Sequence, residues 1–365
     1  MAYRLTQGDV QARFDAHGRL THLGHPDRIK TQPSCFYLTG PIREGHWHVN
    51  CGDRDIFFDL EEATRRYDFD AGVLTLVNAY RDSCNWWGFD FTRSYRIEQG
   101  LLRCDFTLEN WASGGQISQI ESTGAAVPSA MPVRRLRYCT GVHAFTNFSS
   151  DWAHRPYPTN MRVEQDFFWA GMISPAHDVI GFFSAGKVDA WHPLYEGHGM
   201  QRIHSACIDF INSLDRHPAR LTPQQIVLGG RNPRYSGTFY LGAFASMEAL
   251  WQQAADVLGV AFISADRVTG FTGETLSLPV IAPAGRPVTA HIYDEQSRAL
   301  LQTVTVKERR LAVPLEGRTG RKLIELDAGG WRTEARVWQQ EDWAQTLRVA
   351  AHHAARVKQA SGHNY

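Results

Sequence analysis

Short segments in which apolar and polar residues alternate follow one another through residues 1–245. The clearest pair, "RSYRIEQ" and "LRCDFTLEN", lies on either side of Gln99-Gly100 and predicts a hairpin of two half-buried strands. The opening segment "DVQARFDAHGRLTHL" predicts a second hairpin whose turn ends at Gly18. Similar segments are "GVLTLVNAY", "VIGFFSAG", "QRIHSACIDFI", "QQIVLGG" and "GTFYLGAF". Residues 1–245 are therefore expected to form a large antiparallel β-sandwich of two sheets.

The hydrophobic period changes from two to about 3.6 at Ser246. Apolar residues then recur at helical spacing as far as Leu258. Ser246 is suited to cap the first turn, and Gly259 is suited to end the last one. This pattern predicts a linker helix and connector over residues 246–267.

Period two returns over residues 268–339. The alternating segments there are "LSLPV", "PVTAHIY", "LLQTVTV", "LAVPL", "KLIELD" and "TEARVWQ". Short strands at this spacing predict a small immunoglobulin-like β-sandwich, although the Cys and Trp residues typical of true immunoglobulin domains are absent. The fold class expected for the whole chain is therefore mainly β.

The last segment, residues 340–365, has the pattern of an amphipathic helix, with Asp342 suited to cap it. Its apolar stripe consists of Trp343, Leu347, Ala350, Ala354 and Val357. Such a stripe has to be covered, and two interpretations stay open. The helix either docks on the preceding sheets or begins a further helical domain.

Composition and charge narrow the classes of function. The 38 basic and 38 acidic residues balance, so no bulk field favours nucleic acid or an anionic membrane as a partner. No segment approaches the roughly 18 consecutive apolar residues of a membrane-spanning helix. The N-terminus has no signal-like segment, so the sequence as written is expected to be cytoplasmic, or periplasmic or secreted if a signal was removed.

The 6 cysteines are scattered without a C-x-x-C pair, which argues against a structural zinc site and a thioredoxin-like site. Cys104 alternates with apolar residues and is expected to pack on a core face. The chain also lacks the nucleophile-elbow, phosphate-loop and dinucleotide motifs. No cofactor is therefore expected, and the catalytic residues cannot be assigned.

Three segments combine aromatic rings with carboxylates, imidazoles and guanidinium groups: "NWWGFDF", "DWAHRPYPTN" and "DAWHPLYEGHGMQRIH". Sugars bind to such mixtures, because their C–H faces stack on rings while charged groups take the hydroxyls. The alternative is that the rings seal the ends of the sandwich. The candidate substrate-binding residues are Trp86, Trp87, Trp152, Tyr157, Trp191, His192 and Glu196.

Two histidine pairs invite a metal interpretation. His192 and His198 flank Glu196, but their spacing does not fit a helical H-E-x-x-H, and Pro193 favours a loop. His46 and His48 would share one face of a strand, but the sequence locates no third ligand. No metal is therefore assigned.

The order of these parts resembles the N-terminal region of glycoside hydrolases in which a galactose-mutarotase-like supersandwich precedes an (α/α)6 toroid. The resemblance is carried by "FDAHGRLTHL", "YRIEQGLLRCDFTLENW", "LTPQQIVLGG", "GTFYLGAF" and the helix from Trp343. The resemblance covers the whole chain, and it lies in the order of strands and helices, since no single motif among these segments is diagnostic of the family. It implies carbohydrate as partner, and a helical domain that carries the catalytic carboxylates, either beyond Tyr365 or in another chain.

Three functions compete on this basis. The first is a non-catalytic β region of a glycoside hydrolase that supports a helical catalytic domain and lends loops to it. The second is a free-standing aldose epimerase, which would use a histidine and a glutamate as acid and base; "GVHAFTNF" is similar to the histidine strand of that family. The third is a carbohydrate-binding or assembly module, and self-association of the chain also stays open.

Overall fold

The computed structural model of the chain describes residues 3–14, 18, 20–24, 46–51, 57–59, 64–70, 72–81, 88–111, 117–120, 126–128, 131–139, 145–146, 161–162, 168–173, 179–185, 188, 190–195, 203–212, 226–228, 233–264, 269–330 and 332–361. The chain divides into two compact units, Met1–Leu250 and Trp251–Tyr365. Both units are built mainly from strands, which confirms the mainly β fold class.

The strands of the first unit are β1 (Tyr3–Gln7), β2 (Val10–Phe14), β3 (Leu20–Gly24), β4 (His46–Cys51), β5 (Phe57–Asp59), β6 (Thr64–Asp70), β7 (Val73–Arg81), β8 (Gly88–Glu98), β9 (Leu101–Trp111), β10 (Ile117–Ile120), β11 (Ala126–Pro128), β12 (Met131–Cys139), β13 (Phe145–Thr146), β14 (Met161–Arg162), β15 (Phe168–Ile173), β16 (Val179–Ser184), β17 (Ala190–Tyr195), β18 (Ile203–Asn212), β19 (Ile226–Leu228) and β20 (Arg234–Phe244).

Two large antiparallel sheets dominate this unit. The seven-stranded sheet has the order β14-β17-β18-β12-β4-β5, and β19 also pairs with β12. The eight-stranded sheet has the order β13-β15-β16-β20-β9-β8-β7-β6. A three-stranded sheet, β1-β2-β3, and the pair β10-β11 complete the described part. Apolar residues from both large sheets form one buried cluster, as expected for a sandwich.

The hairpin predicted around Gln99-Gly100 is confirmed. β8 and β9 pair along their whole length, from Gly88 opposite Trp111 to Glu98 opposite Leu101. Gln99 and Gly100 have φ angles of 53° and 76°, the conformation that a two-residue turn between twisted strands requires.

The opening hairpin is also confirmed, since β2 pairs with β3. Gly18 lies between them with a φ angle of 76°, and a Cβ there would lie 2.6 Å from Cδ1 of Leu76. Glycine therefore lets the turn approach the core closely. The structure adds β1, which pairs with the other edge of β2.

The linker helix α1 (Met247–Leu258) begins and ends as predicted. The Ala249 amide donates to Oγ of Ser246 at 3.2 Å, and Gly259 has a φ angle of 67°. The strands that follow are β21 (Phe262–Ile263), β22 (Thr269–Phe271), β23 (Thr275–Ile281), β24 (Thr289–Asp294), β25 (Leu300–Thr305), β26 (Arg310–Pro314), β27 (Gly320–Asp327) and β28 (Thr333–Gln340).

These strands form two sheets, β21-β23-β26 and β22-β28-β27-β24-β25, which share one buried apolar cluster. The six segments predicted from the sequence correspond to β23 through β28, so the small sandwich is confirmed. The division of the chain into four parts with the boundaries inferred from the sequence stays a prediction.

The C-terminal helix α2 (Trp343–Ser361) is capped by Asp342, whose Oδ1 accepts the Gln345 amide at 2.8 Å. Residues 341–356 are all exposed. Trp343 and Leu347, the start of the predicted apolar stripe, are 65% and 60% exposed. Within the part of the chain that the structure describes, no helix is long and apolar enough to cross a membrane.

Candidate functional site

A buried ion pair lies on the seven-stranded sheet, on the side opposite the core. Arg137 of β12 and Asp209 of β18 are directly opposed in the strand register. Their neighbours Tyr138 and Ile208 belong to the core, and alternation along a strand places the pair on the other face. Arg137 Nε donates to Oδ1 of Asp209 at 2.6 Å, and Nη2 donates to Oδ2 at 2.9 Å. Two such bonds hold guanidinium and carboxylate in a fixed relative orientation.

The pair is almost completely removed from solvent. The exposed fraction is 6% for the Arg137 side chain and 0% for the Asp209 side chain. At this burial the opposite charges offset part of the cost of removing each group from water. The pair therefore positions strands β12 and β18 and sets the polarity of their shared face.

The strand register extends this pair into a row of five positions, four of which hold polar residues. Arg137 is opposite His48 of β4, and His48 is opposite Asp59 of β5. On the other side, Asp209 is opposite Ala190 of β17. We call these five positions the central row. Since neighbouring strands lie about 4.8 Å apart, each position in the row adjoins the next one.

A second row lies two residues along the same strands. It consists of His46 on β4, Cys139 on β12, Cys207 on β18 and His192 on β17, each directly opposite the next. We call it the histidine–cysteine row. The two rows together are called the polar face.

The aromatic core fixes the backbone of β4 beneath the polar face. Trp47 lies between His46 and His48 and is 1% exposed. Its Nε1 donates to the Tyr95 hydroxyl at 3.4 Å. Its ring contacts rings from both large sheets, namely Phe91, Phe106, Tyr138, Phe210 and Phe239. Positions 46 and 48 on the opposite face are therefore held by a rigid residue.

Two other titratable groups, Tyr95 and Cys104, lie in the core and not on the polar face. Burial raises the pKa of both well above its usual range, and the positive charge of Arg93 offsets the rise only in part. Arg93 itself is bonded to Oδ1 of Asn78. The thiol and the phenol therefore keep their protons and do not serve as nucleophiles.

The segment that holds two of the predicted binding residues is a strand, where the sequence predicted a loop. Trp191 is opposite Ile208 of the core, whereas His192 is opposite Cys207, so the two occupy opposite faces of the sheet. Pro193 lies within this strand, opposite Ala206 of β18, and the described part of β14 pairs only with residues 190 and 191 of β17.

The remaining predicted binding residues lie outside the described residues: Trp86, Trp87, Trp152, Tyr157 and Glu196. His46 and His48 occupy alternate positions of β4, as the sequence predicted. The described side chains include no group of three or more His, Cys, Asp or Glu residues suited to a metal ion. Arg137 was not among the residues predicted from the sequence. The feature that marks it is a charged residue between the apolar residues Leu136 and Tyr138 of one strand.

No protein-family model matches the chain, and no curated protein matches it by sequence. Among solved structures, a galactose mutarotase related enzyme from Lactobacillus acidophilus is similar over 67% of this chain and 98% of its own, with 7% identity and a TM-score of 0.39. A galactose mutarotase-like protein from Clostridium acetobutylicum is similar over 66% of this chain and 94% of its own, with 11% identity and a TM-score of 0.35.

An alpha-galactosidase from Lactobacillus brevis is similar over 70% of this chain and 41% of its own, with 13% identity and a TM-score of 0.37. Likenesses at this level assign neither a family nor an activity to this chain.

Proposed function

We propose that this chain is the β region of a carbohydrate-active enzyme and that it binds carbohydrate on the polar face of the seven-stranded sheet. The observation that carries the proposal is the fixed Arg137–Asp209 pair with histidine positions beside it in the strand register. Hydroxyl-rich ligands are bound by a few polar groups held in place by a rigid scaffold. In this arrangement the ion pair fixes the scaffold, and His48 and His192 contact the ligand.

The experiment is equilibrium binding of the full chain to a panel of oligosaccharides by isothermal titration calorimetry. His48→Ala and His192→Ala are expected to weaken binding at least tenfold, the loss of about 1.4 kcal/mol that one charge-assisted hydrogen bond supplies. His291→Ala is the matched control, because His291 lies on strand β24 of the other unit and bonds Oγ1 of Thr303 at 3.1 Å. Equal affinity of all three variants would contradict the proposal.

The second part of the proposal is that a helical domain, in cis beyond Tyr365 or in another chain, covers the stripe of α2. It is supported by the exposure of Trp343 and Leu347 in an otherwise well-capped helix. Without such a partner, the amides of α2 are expected to exchange hydrogen rapidly in dilute protein. Strong protection that does not change on dilution would contradict this part.

Aldose epimerisation is the second candidate function. Three histidine positions on one face favour it, because imidazole exchanges protons near neutral pH and suits acid–base chemistry at an anomeric centre. Polarimetry of freshly dissolved aldoses distinguishes the two. Catalysed mutarotation that His48→Ala abolishes supports the epimerase, and an unchanged spontaneous rate supports binding alone.

A further inference from the structure

Strand β25 forms one edge of the five-stranded sheet, and most of its side chains are exposed. In the sheet order β22-β28-β27-β24-β25, it pairs with β24 alone among the described strands. Leu300 and Leu301 at its start are 54% and 51% exposed, and of the remaining residues only Val304 is partly covered. An edge of this kind presents a row of backbone amides and carbonyls to any further strand.

The other three sheet edges among the described strands of the small sandwich are protected, whereas β25 is not. β21 and β22 have two and three residues, too few for extended pairing. β26 begins at Arg310 and ends at Pro314, and both a charge and a proline discourage pairing at an edge. β25 has the sequence "LLQTVT", without a charged residue or a proline. Its nearest charged neighbours along the chain are Arg298 and Lys307.

The hydrogen-bond pattern shows which backbone groups of β25 face outward. The Val306 amide donates to the Val288 carbonyl, which precedes β24, at 2.9 Å. Bonded and non-bonded pairs alternate along an antiparallel ladder, so the bonds to β24 skip Thr303 and Thr305. The register shift between β24 and β25 comes before residue 302, so the alternation is regular over residues 302–305. The amides and carbonyls of Thr303 and Thr305 therefore point away from β24.

The same edge of a second copy of this chain matches these outward groups. When two β25 strands pair antiparallel about a two-fold axis at Thr303, the outward amide and carbonyl of Thr303 meet those of the same residue in the other copy. Leu301 of each copy then lies opposite Thr305 of the other copy, so that the exposed leucines gain a neighbouring strand. Residues 299–306 include no charged side chain, so no like charges face each other across the axis.

We propose that this chain forms a two-fold symmetric dimer through antiparallel pairing of β25 with β25 of a second copy, which joins the two five-stranded sheets into one continuous sheet. The contact uses the outer edge of β25 in both copies and therefore closes at two chains. Because the contact is small, the dimer is weak, and its fraction rises with protein concentration. The proposal depends neither on carbohydrate binding nor on a helical partner for α2.

The test is sedimentation velocity of the full chain, from the low micromolar range to the highest soluble concentration. The wild type is expected to shift from monomer to dimer. Thr303→Lys and Thr303→Glu are each expected to abolish the dimer, because residue 303 faces its own copy across the axis and like charges then oppose each other. An equimolar mixture of the two variants is expected to restore the dimer, because opposite charges then face each other.

Ala312→Lys is the matched control, because Ala312 is exposed on β26, an edge strand of the other sheet of the small sandwich. It introduces the same charge on an edge outside the contact and should leave the dimer unchanged. Circular dichroism and thermal melting show whether each variant is folded. Thr305→Lys, at the other outward position of the β25 edge, is expected to weaken the dimer and replaces Thr303→Lys as the test if that variant does not fold.

Four results would overturn the proposal. The first is a wild-type chain that is monomeric at every concentration. The second is a dimer that the folded Thr303→Lys variant leaves intact, as a dimer formed through α2 would be. The third is a mixture of folded Thr303→Lys and Thr303→Glu variants that stays monomeric. The fourth is growth into assemblies larger than two chains, which a contact closed by two-fold symmetry does not allow.

Discussion

Replacing Asp209 by Asn tests whether the polar face is organised by its buried ion pair. Arg137 and Asp209 are 6% and 0% exposed and share bonds of 2.6 and 2.9 Å, so replacing Asp209 by Asn removes the negative charge that pairs with a buried guanidinium. Breaking such a pair costs about 3–5 kcal/mol in the free energy of unfolding. For a unit of this size, that loss lowers the melting temperature by roughly 6–20 °C.

The assay is equilibrium unfolding in urea, followed by tryptophan fluorescence and circular dichroism. Glu109→Gln is the matched control, because Glu109 also forms a cross-strand bond to an arginine, Arg234, at 2.8 Å, but the two side chains are 38% and 64% exposed. An exposed pair contributes at most about 1 kcal/mol, so the control should unfold nearly like the wild type.

A double variant separates the cost of removing one member of the pair from the value of the whole pair. Arg137→Met/Asp209→Leu replaces both groups by apolar ones of similar size and is expected to recover most of the lost stability. The reasoning is refuted if Asp209→Asn costs less than about 1 kcal/mol, or if the double variant loses the sum of the two single losses.

Four further predictions follow from particular residues. The chain alone should hydrolyse no aryl glycoside or oligosaccharide in a broad panel, and turnover abolished by Glu196→Gln would contradict this. Ser246→Ala should lower the free energy of unfolding by about 1 kcal/mol through loss of the α1 cap, as measured in urea. Gly237→Val should cost about 1–3 kcal/mol or more, since a Cβ there lies 2.4 Å from the Phe106 ring; a wild-type melting curve would refute it. Burial raises the pKa of Cys104, so above the pKa of an unfolded thiol, about 8.5, only the unfolded state ionises. The free energy of unfolding should therefore be constant below that pH and fall as the pH rises above it. Cys104→Ala should show a smaller fall in the free energy of unfolding between about pH 8 and 10.

The strands and helices were largely predictable from the sequence because their signals are local. The turn at Gln99-Gly100, the cap at Ser246 and the cap at Asp342 each depend on residues within a few positions of one another. The same is true of the alternation that marks β23 through β28. Local propensity and tertiary structure agree at these places.

The candidate site was less predictable because it is assembled by strand order. Cys139 and Cys207 become neighbours only because β12 lies beside β18 in the sheet, and the Arg137–Asp209 pair arises from the same neighbourhood. In the sequence, 67 residues separate the two cysteines, so no short motif contains both. Pro193 favoured a loop in the sequence because proline usually interrupts strands, yet it lies within β17, opposite Ala206 of β18.

The most direct test of carbohydrate binding on the polar face is hydrogen exchange of the full chain with and without a saturating oligosaccharide. The account predicts added protection in the peptides of β4, β12, β17 and β18, and unchanged exchange in β23 through β28. Protection confined to the small sandwich or to α2, with unchanged exchange across the seven-stranded sheet, would contradict it.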